Sequence, residues 1–230
     1  MMTSQEMIKY TGSFSNKTGT YSVEVYNDFD DFYMQIGRFK FSGFDLDSFE
    51  LDNPEEFSDQ ELIDFDIINR KIDAQHTYIE LRNYSLSLQI PQTLIVMSTK
   101  EEINIVFNLR LELFEKHEKA LLSFNIKGEY FEAKNGFMEM IMDDLQRQFA
   151  GRYRFKNCYG CLYGDYSIYG QGLMGPILCF KNQKEKYLDV QNKNEYMELK
   201  KHESAQQEIY CCADYEPRNR VVGYRGTIMI

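Results

Sequence analysis

Five cysteines, all in the last third of the chain, are the residues best placed for chemistry. Cys158 and Cys161 form a C-x-x-C pair, Cys179 follows, and Cys211 and Cys212 form a doublet. A C-x-x-C turn is tight enough to place two thiolates on one metal ion, and Zn²⁺ accepts four such ligands in a tetrahedron. The spacing therefore predicts a structural zinc site with these ligands: Cys158, Cys161, Cys179 and either Cys211 or Cys212.

The cysteines also fit roles that need no zinc. Free cysteine is among the most buried residue types, so buried thiols without a metal account for the pattern about as well. Disulfides are less favoured, because no apolar secretory segment follows Met1 and the chain is expected in the reducing cytoplasm. A thioredoxin-like pair would need a surrounding βαβ unit, and iron–sulfur ligation has different spacings.

The rest of the sequence offers no convincing catalytic group. The three histidines lie in no H-E-x-x-H frame, and the chain lacks a G-x-S-x-G elbow and a P-loop. Residues 170–175 match G-x-G-x-x-G, but no strand–turn–helix pattern frames them. Several polar residues near the cysteines are more typical of groups that pin loops to a core: Asp165, Tyr166, Glu216, Arg218 and Arg225. We therefore expect no enzyme, with a metal- or thiolate-dependent enzyme as the alternative.

The negative charge of the chain is concentrated in residues 41–69, the acidic segment. This segment has ten Asp and Glu and no Lys or Arg, and without those ten the acids equal the 26 Lys and Arg. Phosphates would be repelled, so direct nucleic-acid binding is not expected, whereas a basic protein partner would be attracted. The predicted partner-binding residues are Asp45, Asp47, Glu50, Asp52, Glu55, Glu56, Phe49 and Phe57.

Alternation of apolar and polar residues indicates the elements that position these groups. It runs through residues 21–25, 32–41, 84–90, 103–113 and 122–130, with a phase change at Gly37 that predicts a β-bulge. Such alternation is typical of antiparallel sheets with one buried face. The acidic segment keeps no clean period and is predicted to be a long surface excursion with one helical turn at Pro54–Leu62.

One amphipathic helix is predicted at about 137–150, because apolar residues recur there every four positions from Phe137 to Phe149. The fold class is therefore α+β, mostly β: an antiparallel sheet or sandwich, one main helix and a loop-rich cysteine module. The predicted division is a β-rich part at 1–135 and a helix-plus-cysteine part at 136–230, within one continuous unit. Residues 181–207 suggest a helix or an exposed hairpin, and residues 221–230 a final strand.

Two cysteine-containing stretches resemble an uncharacterised bacterial family. The first stretch runs from Asn157 through a C-x-x-C, a D-Y-S and a C-F, and the second contains C-x-x-Y-E-x-R and Y-R-G. The resemblance covers about residues 155–226 and implies that Cys212, which stands three residues before Tyr215, is the fourth cysteine. Cys211 is an addition to the family pattern.

Members of that family look like cytoplasmic immunity proteins, which inhibit bacterial toxins. The resemblance therefore implies a non-enzymatic, immunity-type inhibitor whose partner is a basic toxin domain. The other alternative is an adaptor protein of a defence or secretion locus. No apolar run approaches the ~20 residues that span a bilayer, so no membrane association is expected.

Overall fold

The computed structural model describes residues 7–71, 77–115, 117–167, 172–199, 204–219 and 222–223. Within these residues the main sheet is antiparallel, curled into a half-barrel, and has twelve strands. These are β1 (Ile8–Asn16), β2 (Gly19–Asn27), β3 (Phe32–Ile36), β4 (Phe39–Gly43), β5 (Glu50–Leu51), β6 (Asp66–Lys71), β7 (Thr77–Arg82), β8 (Tyr84–Val96), β9 (Glu102–Phe114), β10 (His117–Ile126), β11 (Glu129–Asn135) and β12 (Tyr153–Phe155). Their spatial order is β11-β10-β9-β8-β1-β2-β3-β4-β5-β7-β6, with β12 paired to β8.

The alternating sequence pattern becomes the two faces of this sheet. Leu86 and Leu88 in β8 are buried and pair in register with Leu111 and Leu109 in β9, which are buried as well. The residues between them in β8, such as Ser87, point to the other face. The α+β, mostly β prediction is confirmed. The predicted bulge at Gly37 is wrong, because the chain turns there with φ +60° and starts a new strand that pairs back along β3.

Helix α1 (Met138–Gln148) lies within the range predicted for it. Met138, Ile141, Met142 and Leu145 are its buried stripe, and it packs on β10, β11 and β12. Phe137 is not part of that stripe and is 67% exposed, because its backbone is still extended at the helix start. No helix in the described ranges is long and apolar enough to cross a membrane.

The chain after α1 builds a smaller sheet beside the main one. It contains β13 (Gly164–Asp165), β14 (Pro176–Cys179) and β15 (Ser204–Gln207), with α2 (Lys184–Leu188) and α3 (Lys193–Glu198) between β14 and β15. Phe180, Tyr187 and Tyr196 form the centre of a second hydrophobic cluster there. Cys158 and Tyr159, in contrast, pack into the main core. The predicted final strand lies outside the described residues, apart from residues 222–223.

Candidate functional site

The acidic segment is folded onto the sheet, where an aromatic cluster holds it. The ring centroid of Phe39 lies 4.9 Å from that of Phe57 and 4.9 Å from that of Phe65. Phe65 also lies 5.5 Å from Phe41, and the Arg38 guanidinium sits 4.8 Å above the Phe57 ring. Aromatic pairs and cation–π contacts of this kind favour a single arrangement. The exposed side chains of the segment are therefore presented on a fixed base.

The outer side of the segment combines free carboxylates with an exposed apolar side chain. Four exposed acids have no ion-pair partner in the part of the chain that the structure describes: Glu55, Glu56, Asp59 and Asp64. Glu61 is the exception and pairs with Arg38 at 2.8 Å. Ile63 lies between these acids in sequence and is 58% exposed. Unpaired like charges around an apolar group are suited to a basic partner with an apolar contact point.

Two of the predicted partner-binding residues have to be removed from that surface. Asp45 and Phe49 are buried, with 3% and 0% of their surface exposed. Phe49 faces the core because its carbonyl accepts the Leu81 amide at 2.8 Å, which joins this stretch to β7. Of the other predicted residues, Glu55 and Glu56 are exposed, and the half-buried ones are Asp47, Glu50, Asp52 and Phe57. The predicted helical turn is a short 3-10 helix, Pro54–Glu56.

Asp45 and Asp47 form a clasp between the acidic segment and the loop at 172–175. The Asp47 carboxylate accepts the Leu173 amide at 2.6 Å, and the Leu46 amide donates to the Leu173 carbonyl at 2.9 Å. Gly172 lies directly against Asp45, where any Cβ would collide with the carboxylate. Burial, and then the charge of Asp47, raise the pKa of Asp45 to about 8. The Asp45 side chain is therefore held protonated at neutral pH.

No sequence pattern predicts this clasp. Leu173 is 126 residues away from Asp47, and an Asp in an acidic stretch is ordinarily a solvated residue. Sequence reasoning also misses Ile63 as an exposed anchor, because an Ile beside Leu62 and close to Phe65 fits a core residue equally well.

Backbone contacts bring the cysteine segments together. The Cys158 amide donates to the Tyr210 carbonyl at 2.6 Å, beside the 211–212 doublet. Cys161 bridges to Pro217, and Cys179 pairs with Gly164 in the small sheet. The thiols are close enough for charge on one to affect the others. The cysteines that the sequence singles out therefore do converge in space.

The cysteine segments lie close together, but the described side chains are not arranged as a metal centre. Among the residues that the structure describes, no group of three or more His, Cys, Asp or Glu side chains is arranged to hold a metal ion. Burial, followed by the neighbouring thiols, raises the pKa of Cys158 well above its ordinary value, and burial raises the pKa of Cys211 to about 11. The zinc site at Cys158, Cys161, Cys179 and either Cys212 or Cys211 stays a prediction.

Arg218 pins the loops of the cysteine module together, as its neighbourhood in the sequence suggests. It is fully buried and donates to the carbonyls of Gly164 at 2.6 Å and Val222 at 2.8 Å. It also donates to the Tyr187 hydroxyl at 2.6 Å, and that hydroxyl donates to Asp165 at 2.9 Å. A guanidinium saturated by carbonyl acceptors is a structural centre that has no free donor for a substrate.

Comparison with known proteins gives a family and no function. A family of unknown function, DUF6304, matches residues 8–164. The match covers the main sheet, the acidic segment and α1, and it reaches the first two cysteines. It therefore lies mostly before the stretch, residues 155–226, that carries the resemblance found in the sequence. No curated protein and no solved structure matches the chain.

Proposed function

We propose that this chain, which belongs to the DUF6304 family of unknown function, is a non-enzymatic binding protein whose acidic segment docks onto a basic protein partner. In its finer form, the proposal is an immunity-type inhibitor that neutralises a basic toxin domain in the cytoplasm. The observation that carries it is a run of exposed acids, Glu55, Glu56, Asp59 and Asp64, that have no ion-pair partner among the described residues and lie close in sequence to exposed Ile63.

The way the segment is held supports this proposal. A merely solvated acidic loop needs no aromatic anchors, whereas Phe57 and Phe65 in this segment contact Phe39 and Phe41 of β4. A surface that is already ordered loses less conformational entropy when a partner binds. Unpaired carboxylates on it would also accelerate encounter with a basic surface.

The chemistry of three thiols argues against a thiolate nucleophile at Cys158, Cys179 or Cys211. The nucleophilic form of cysteine is the thiolate, and a raised pKa keeps the thiol protonated near neutral pH. Burial raises the pKa of Cys158, Cys179 and Cys211. A thiolate-dependent enzyme would need the opposite shift at its nucleophile.

The experiment is a growth-rescue assay with the product of the neighbouring gene, expressed from an inducible promoter. Co-expression of the wild-type chain should restore growth. The triple variant Glu55→Gln, Glu56→Gln, Asp59→Asn should restore it poorly, because steering and the rim contacts are lost. A failure of the wild-type chain to protect would overturn the immunity form of the proposal.

The matched control removes the same number of charges elsewhere. Glu101, Glu115 and Glu198 are exposed acids on other parts of the surface. Their combined change to Gln should leave rescue at the wild-type level. Equal loss in both triple variants would mean that net charge matters and the acidic segment does not.

A further inference from the structure

The exposed face of the main sheet contains a depression with a volume of about 620 Å³. It lies across five adjacent strands, in the order β10-β9-β8-β1-β2. This face is opposite to the one that carries the core and α1. The volume is in the range of small-molecule sites, about 300–1,000 Å³. We call this depression the polar trough.

Strand register makes the floor of the polar trough. Ser13 in β1 stands opposite Ser22 in β2 on one side and Ser87 in β8 on the other. Three of the smallest polar side chains therefore form one row across three strands. Larger side chains stand at the ends, with Arg110 opposite Ser87 on the β9 side. The surface is hollow here because the serine side chains in the middle of the row are smaller than the side chains at its ends.

The hydrogen-bonding groups of the trough are largely unused. Within the described part of the chain, the side chains of Ser13, Ser22, Ser87 and Gln89 make no hydrogen bond. Ser123 also lines the trough, and its hydroxyl likewise makes no hydrogen bond to a described residue. Hydroxyl and amide groups that no protein group engages are available to a ligand, which would bind them in competition with water.

The trough has no free charge among the residues described. Glu24 pairs with Lys9 at 2.9 Å, and Arg110 pairs with Glu112 at 3.0 Å. An ionic ligand would have to displace one of these partners. What remains available are hydroxyl and amide groups, each of which can both donate and accept a hydrogen bond. The hydroxyl groups of a sugar can donate and accept hydrogen bonds in the same way.

We propose that the polar trough binds a neutral carbohydrate. Tyr26 does not line the trough, but its hydroxyl donates to the trough residue Glu24 and it is 38% exposed, so it offers a ring face nearby for a sugar to stack on. An extended peptide fits less well, because β1 and β8 are paired on both sides under the floor and have no backbone groups to share.

The test measures the binding of maltotriose, cellotriose and chitotriose by saturation-transfer NMR and titration calorimetry. Each sugar is used at about 1 mM, a dissociation constant at the weak end of specific binding. The variants Ser22→Tyr and Ser87→Tyr fill the trough from exposed or half-exposed positions. Thr20→Tyr is the matched control, because Thr20 is exposed on the same strand and face but lies outside the trough.

At least one trisaccharide should bind the wild-type protein, and both filling variants should weaken binding by about tenfold or more. Thr20→Tyr should bind like the wild type. Three results would overturn the proposal: no binding of any trisaccharide, equal loss in Thr20→Tyr, or binding of a neutral Ser-Gly peptide in place of the sugars.

Discussion

Asp45→Asn should change the pH dependence of stability in a direction that the structure fixes. Asp45 is 3% exposed, and burial together with the Asp47 charge raises its pKa from an ordinary 3.8 to about 8. The native state therefore keeps a proton that the unfolded chain releases between these two values. The contribution of this proton on Asp45 to the free energy of unfolding is fully present below pH 3.8 and is lost as the pH rises towards 8.

The slope of this loss is about 1.4 kcal/mol per pH unit. Between about pH 5.5 and pH 7.5 the wild-type protein should thus lose roughly 2–3 kcal/mol relative to Asp45→Asn, which is neutral throughout. Asn also keeps an oxygen to accept the Ser48 hydroxyl, as Asp45 does. Other groups that titrate in this range are common to both proteins and cancel in the difference.

Urea unfolding of the wild-type protein and the variant at both pH values measures that difference. Asp59→Asn is the control, because Asp59 is exposed and its neutralisation should leave the pH dependence unchanged. If the free energy of unfolding of Asp45→Asn changes between the two pH values by the same amount as that of the wild type, then Asp45 is not protonated in the native state as we infer. A variant that loses its advantage as the pH rises would refute the sign of the pKa shift as well.

Three further predictions test the core, the cysteine module and the metal. Arg218→Met should destabilise the protein by about 3 kcal/mol or more, because buried carbonyls and the Tyr187 hydroxyl lose their charged donor; a melting temperature equal to the wild type would contradict this. Leu145→Ala should cost about 2–5 kcal/mol in denaturant unfolding, while exposed Met140→Ala should stay within about 0.5 kcal/mol; equal effects would be inconsistent with the observed stripe. Elemental analysis of purified protein should find about one equivalent of zinc if the cysteines form a four-ligand structural site, and less than about half an equivalent in folded protein would count against it.

The strands and the helix can be predicted because their pattern is local. In β8, Leu86 and Leu88 alternate with Ser85 and Ser87, and burial on one face requires that alternation. The helix follows from the spacing of its buried stripe in the same way. The phase change at Gly37 does not distinguish a bulge from a tight turn, because both shift the alternation by the same amount.

The candidate sites depend on contacts between distant parts of the chain, which no local pattern contains. The burial of Asp45 requires Gly172 and Leu173, and the serine row of the polar trough requires the register of three strands. Phe49 is mispredicted for the same reason. An aromatic residue in an acidic stretch fits an exposed anchor, whereas pairing with β7 turns Phe49 into the core.

Association kinetics test most directly whether the acidic segment is the docking surface. The rate of binding to the purified product of the neighbouring gene should be measured for the wild type, the Glu55→Gln, Glu56→Gln, Asp59→Asn variant and the control variant, at low and high salt. We predict fast association that salt slows for the wild type and the control, and a rate reduced by about tenfold or more for the acidic-segment variant at low salt. Identical rates and salt dependence for all three proteins would contradict a docking role for the segment.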